Sequence, residues 1–251
     1  MRALRNDTLD TRTAVALAAL ALGFGMLGAL GVASADFAYQ WQPVPPDVPA
    51  RGALALAVGL LEVVAAAMLA IARLRSAGAW LAAALLLGWT ALHIPSVLQR
   101  PASVADWLGV AESVAMASAA LMFATGRAAV RRGCMVAFGL AAIVFGVSHF
   151  AYADFTASMI PAWLPQRVPL AYFTGAAHAL AGAAILLGIR RALAASLEAL
   201  MMAGFVVLVH VPRVLAHPDS RMEWTMLSVA LALSGSAAMV AAVSNRHAAA
   251  R

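Results

Sequence analysis

The stretch His93-Ile94-Pro95-Ser96-Val97-Leu98-Gln99-Arg100-Pro101 closes one long apolar run, and His210-Val211-Pro212-Arg213-Val214-Leu215-Ala216-His217-Pro218 closes another. Both follow the pattern His-x-Pro-x-Val-Leu-x-x-Pro, 117 residues apart. At that spacing Trp107 meets Trp224, Ala115 meets Ala232 and Met122 meets Met239. Closer to the N-terminus the spacing drifts by one residue. Asp36 and Pro43 meet Asp154 and Pro161 at 118, while Gly59 and Glu62 meet Gly175 and His178 at 116. Differences in loop length account for the drift. The chain therefore reads as two copies of one unit, residues 1–126 and 127–251.

Each unit holds four apolar runs. Across 251 residues, 64% are hydrophobic and 11% charged, about half the charge of a soluble domain. The runs lie near 13–35, 52–72, 78–97, 107–125, 134–152, 169–189, 193–213 and 222–244. Their length of about 20 residues is what a helix needs to cross a bilayer, and they lack the alternation of a transmembrane barrel. The expected fold is an all-α polytopic membrane protein: eight transmembrane helices forming two parallel four-helix-bundle repeats. An even number of spans per unit makes both copies insert the same way up, about an axis along the membrane normal. The basic start, first run and Ala33-Ser34-Ala35 imitate a signal peptide. The run is too long for one, and the repeat requires it as a helix.

The arginines give the orientation. Twelve of the 17 basic residues, all Arg, lie at the termini and in the loops after the second, fourth and sixth runs. The other side has five: Arg51, Arg100, Arg167, Arg213 and Arg221. The positive-inside rule then places both termini in the cytoplasm of a bacterial-type inner membrane. The His-x-Pro stretches and the Pro- and aromatic-rich loops 36–51 and 153–168 fall on the outer side. Scattered short-loop arginines do not make a nucleic-acid surface. The single Cys134 excludes an intramolecular disulfide and a CxxC redox motif.

Ionisable groups within apolar runs are the candidates for function. Glu62 and His178 lie roughly ten residues, about 15 Å, from the outer helix ends. Glu112 and His149 lie nearer that end, and His93 and His210 sit at it. With Asp36 and Asp154 from the loops, these residues are expected to form a ligand-binding cleft in the outer half, shared across the seam between the units. Glu198, near the opposite end, is expected to snorkel or pair with Arg190 or Arg191. Trp107 and Trp224 read as interface anchors, and Pro95 and Pro212 as helix ends or kinks. Helical small-residue pairs, Gly25 with Ala29 and Gly175 with Ala179, signal close packing.

The segment Met159-Ile160-Pro161-Ala162-Trp163-Leu164-Pro165, followed by Leu170-Ala171-Tyr172-Phe173-Thr174-Gly175, resembles the DoxX-like membrane family. Leu186-Leu187-Gly188-Ile189-Arg190-Arg191 is similar to the family's basic turn. The family places a Glu three residues after the Gly. Glu62 keeps it after Gly59, whereas His178 replaces it after Gly175. Members usually hold one four-helix unit, where this chain would hold two. The resemblance implies a membrane protein, and the family's name comes from a subunit associated with thiosulfate:quinone oxidoreduction.

The reading favoured over an enzyme is an accessory or ligand-binding membrane protein whose cleft takes a quinone or lipid headgroup. A metal ranks below these, because no ligand spacing such as HExxH is present. The alternatives are a quinone-linked oxidoreductase subunit with a membrane redox partner, and a small-molecule transporter.

Overall fold

Ala- and Leu-rich runs favour helix, and helices they become. A computed structural model describes the backbone over residues 9–249 and side chains over 9–245. The orientation argument draws on Arg2, Arg5, Arg246 and Arg251, whose side chains lie outside the described residues. The helices are α1 (Thr11–Ser34), α2 (Arg51–Ala70), α3 (Arg75–Gln99), α4 (Val104–Ala124), α5 (Ala128–Ala151), the short α6 (Ala153–Met159), α7 (Arg167–Leu187), α8 (Arg191–Phe205), α9 (Val211–Ala216) and α10 (Arg221–Ala249). A π-helical turn, Val206–His210, joins α8 to α9, so that Arg191–Ala216 is one continuous helical run. Eight runs of 20–26 residues are long and apolar enough to span a membrane, and no strand occurs among the described residues. This is compatible with a multi-pass membrane protein.

Local chemistry sets the helix ends. The Asp10 side chain accepts the Thr13 N–H at 3.0 Å and caps α1. Gly188, at φ 73°, closes α7 in the left-handed conformation that favours glycine. Ala50 and Gln166 adopt φ 54° and 53° just before α2 and α7, an uncommon conformation for residues with a β-carbon.

The segment 153–159 and the two prolines show what the sequence reading left open or missed. Residues 153–159, expected as loop, form α6, because the first proline of that segment comes only at Pro161. Pro95 does not end α3, which runs on to Gln99. Pro212 instead follows the π-helical turn. A proline lacks the N–H of the preceding turn and crowds its carbonyl, and the wider turn takes up that misfit.

The two His-x-Pro stretches close alike. Arg100 N–H donates to Ser96 O, and His217 N–H to Arg213 O, each at 2.9 Å. Trp107 Nε1 donates to Pro101 O at 2.9 Å, and Trp224 Nε1 to Pro218 O at 2.8 Å. Ser103 caps α4 by accepting Asp106 N–H at 3.3 Å, and Ser220 accepts Glu223 N–H at 3.4 Å. Both tryptophans thus fasten turns, whatever they do at an interface.

Glycines set the helix crossings. A β-carbon on Gly28 of α1 would lie 2.6 Å from Gly59 O of α2, and one on Gly146 of α5 would lie 2.6 Å from Gly175 O of α7. Both are inside van der Waals contact, so only glycine permits the approach. Gly23 of α1 and Gly235 of α10 press equally close to the opposite backbones. α10 is the most enclosed segment, with 78% of its apolar window buried, against 17% for Arg191–Ala216. The exterior is apolar: Leu98 and Leu215 are each 76% exposed, and Phe173 and Leu180 are nearly as open. Glu62, His93, His178 and Glu198 are buried. Large apolar groups outside and polar groups inside suit lipid as the surrounding solvent.

Candidate functional site

The polar interior of residues 128–216 is built by helical spacing. Phe145, Ser148 and His149 share one face of α5. Thr174 and His178, four apart, share a face of α7, and Glu198, Met202 and Phe205 share one of α8. The crossing at Gly146 and Gly175 brings these faces together. A β-carbon on Gly175 would come 2.8 Å from the His149 Cβ, so a bulkier residue would push His149 away from α7.

Each imidazole is anchored through Nδ1. Thr174 Oγ1 lies 3.0 Å from both Leu170 O and Ala171 O, and 2.9 Å from His149 Nδ1. When that hydroxyl donates to the helix carbonyls, its oxygen accepts Nδ1–H and the lone pair falls on His149 Nε2. His178 Nδ1 is 2.6 Å from Glu198 Oε1, with side-chain exposures of 3% and 0%. A carboxylate behind Nδ1 fixes ring orientation and tautomer. The His149 and His178 ring centres are 5.0 Å apart, edge to face. Phe205 stacks on His149 at 6.0 Å and Phe145 meets His178 edge-on at 5.8 Å.

These rings line a cavity of about 300 Å3. His210, from the π-helical turn, joins them, as does Glu112 from α4. Trp41 reaches in from the 36–50 loop. Among the described residues two wall side chains carry buried polar atoms outside hydrogen-bond geometry: His210 Nδ1, and Trp41 Nε1, which is directed at the Glu112 carboxyl. The remaining wall is mainly apolar, with Met159, Ile160, Met202 and Met226 among its residues. Apolar walls with a few convergent polar groups are the usual form of a small-molecule site.

Of the eight candidate residues, the structure brings together Glu112, His149, His178 and His210. Glu62 lies in a separate buried cluster of the first half. Its Oε1 accepts Gln42 Nε2–H at 2.8 Å and Trp89 Nε1–H at 2.9 Å, while Oε2 is buried without a partner among the described residues. Phe37 meets Trp89 edge-on at 5.8 Å and closes the space. His93 packs its ring on Gly109. At 117 residues beyond Gly109 stands Met226, on the cavity wall beside His210. Asp36 bonds Arg51 at 2.7 Å and Arg221 at 3.6 Å at the helix ends, and Asp154 is exposed.

Glu198 corrects the sequence reading. It neither snorkels nor pairs with Arg190 or Arg191, but is fully buried against His178. Arg191 Nε instead donates to Ile185 O at 2.9 Å. Seven residues, about 10 Å of helix, separate it from Glu198. Thr174, Trp41 and Phe205 also belong to the site and are not among the sequence candidates. Thr174 shows a usable signal, standing four residues before His178. Trp41 and Phe205 show none, because only the tertiary fold brings them to the histidines. Among the described residues no three His, Cys, Asp or Glu side chains are placed to hold a metal ion.

The fold and site together define a many-helix protein with an interior polar cavity. A family described as "Domain of unknown function (DUF8561)" matches residues 138–211, a stretch that contains His149, Thr174, His178, Glu198, Phe205 and His210. No curated protein and no solved structure matches the chain.

Proposed function

We propose that this chain is a DoxX-like inner-membrane protein that binds a small ring-headed amphiphile, quinone-like in its headgroup, in the histidine cavity. The observation that carries the reading is the pair of imidazoles 5.0 Å apart, each anchored through Nδ1 and each on the cavity wall. With Nδ1 engaged, Nε2 is the ring nitrogen left to meet a ligand. A ring bearing carbonyl or hydroxyl groups would meet His149, His178 and Glu112 at its polar edge, and Phe205 and the methionines at its faces. A volume of about 300 Å3 lies at the lower end for small-molecule sites, which suits a headgroup with its tail leading outward.

The two-unit architecture, 1–126 and 127–251, belongs to this proposal. Its support is the matching of detail in the two halves: the Trp and Ser bonds after each His-x-Pro stretch, the glycine crossings, and the left-handed residues before α2 and α7. In the first unit Trp89 and Gln42 fill the space around Glu62; in the second, the equivalent space stays open. The first unit then mainly stabilises, while lending Trp41 and Glu112 to a cavity that the second unit mostly builds. The arginine distribution favours cytoplasmic termini, with the cavity in the outer half.

The second reading is a quinone-linked oxidoreductase subunit. It is favoured by the Glu198–His178 pair, a carboxyl–imidazole arrangement suited to holding a proton beside a bound carbonyl.

A titration tests the proposal. A short-chain quinone added to delipidated protein in mild detergent is expected to quench Trp41 fluorescence saturably. The quench should be lost in Trp41→Phe and weakened at least tenfold in His149→Ala. No saturable quench, or one unchanged in both variants, overturns the proposal.

A further inference from the structure

The opposite end of the bundle carries an open cleft of about 1100 Å3 between α1, α5, α8 and α10. Arg12, Arg131, Arg132, Arg190 and Arg191 line it, and no Asp or Glu is among the described lining residues. The nearby Asp10 carboxyl is engaged at the start of α1, accepting Thr13 N–H and Thr13 Oγ1–H.

Two of these arginines are held in place. Arg131 Nε donates to Thr125 O at 2.9 Å, and Arg191 Nε to Ile185 O at 2.9 Å. Each bond ties the guanidinium to a carbonyl near the end of the preceding helix, and it uses one of five N–H donors. Arg12, Arg132 and Arg190 are exposed around them. Five like charges lining one cleft repel one another unless an anion sits among them. Elsewhere the wall is apolar, at Val15, Met135, Leu193 and Ala242, with Val15 and Leu193 on the exposed surface. An inorganic anion has no use for such a wall, whereas an acyl chain does.

We infer that this cleft is a binding site for an anionic phospholipid, with the phosphate headgroup held by the arginines and an acyl chain laid along α5 and α8. Arginine suits the role because its planar donors pair with phosphate oxygens in a bidentate way. Basic clefts between helices bind lipid phosphates on this principle. The inference is independent of the histidine cavity, which lies among other residues.

Native mass spectrometry of the full chain in mild detergent tests it. The arms are phosphatidylglycerol, phosphatidylcholine with the same acyl chains, and inorganic phosphate. The expected result is preferential retention of phosphatidylglycerol, a preference that falls about tenfold in an R132Q/R190Q variant. Both positions are exposed, so the variant should keep its melting temperature. R100Q, altering an exposed arginine that pairs with Asp106 elsewhere, should leave the preference intact. Equal retention of both lipids, an unchanged preference in R132Q/R190Q, or inorganic phosphate displacing phosphatidylglycerol at equal concentration would overturn the inference.

Discussion

At the residue scale, the best-defined contact of the site is the His178–Glu198 hydrogen bond. Removing one partner of a buried polar pair leaves the other without compensation. Glu198→Ala is therefore expected to lower stability by about 2 kcal/mol in detergent unfolding, and Glu198→Gln by less, since an amide oxygen still accepts Nδ1–H. Equal losses would show that the hydrogen bond is not what Glu198 supplies. In the first half, Trp89→Phe keeps an aromatic ring but removes a donor to Glu62, and should cost at least about 1 kcal/mol. The histidines and Glu62 were legible in the sequence because ionisable groups stand out in an apolar background. The Glu198 pairing was not. Its neighbours in sequence are arginines, and its true partner is brought to it only by the packing of α7 on α8.

At the scale of elements, helix crossings depend on glycines that admit no substitute. Gly59→Val would drive a side chain into Gly28 O and Val32, and is expected to cost about 1–3 kcal/mol. Gly88, which faces open space, should tolerate Ala with little change in thermal stability. The eight apolar runs and most of their ends could be read from hydropathy and loop prolines. The divergent fates of Pro95 and Pro212 could not, because the two stretches share one pattern, His-x-Pro-x-Val-Leu-x-x-Pro. The difference arises where Trp89, Gln42 and the His93 ring on Gly109 fill one half while the other keeps a cavity bounded by the π-helical turn and Met226.

At the scale of the whole molecule, the packing of α1 on α10 and of α4 on α5 joins the halves at both edges. Arg221 of α10 adds a latch, donating to Asp36 O at 2.7 Å and Phe37 O at 2.9 Å. The two halves should accordingly unfold together. The proposed orientation is open to labelling, because Cys134 is buried. With Cys134 replaced by Ser, a membrane-impermeant thiol reagent should reach Asp47→Cys in intact cells but not Ala129→Cys. The reverse pattern would invert the topology. The central claim is that the histidine cavity holds a ring-headed amphiphile, and its most direct test is what leaves the membrane with the protein. Gentle extraction followed by organic extraction and mass spectrometry should recover about one quinone-type molecule per chain, strongly reduced in a folded His149→Ala/His178→Gln variant. Recovery of none, or of the same amount from that variant, would contradict the account.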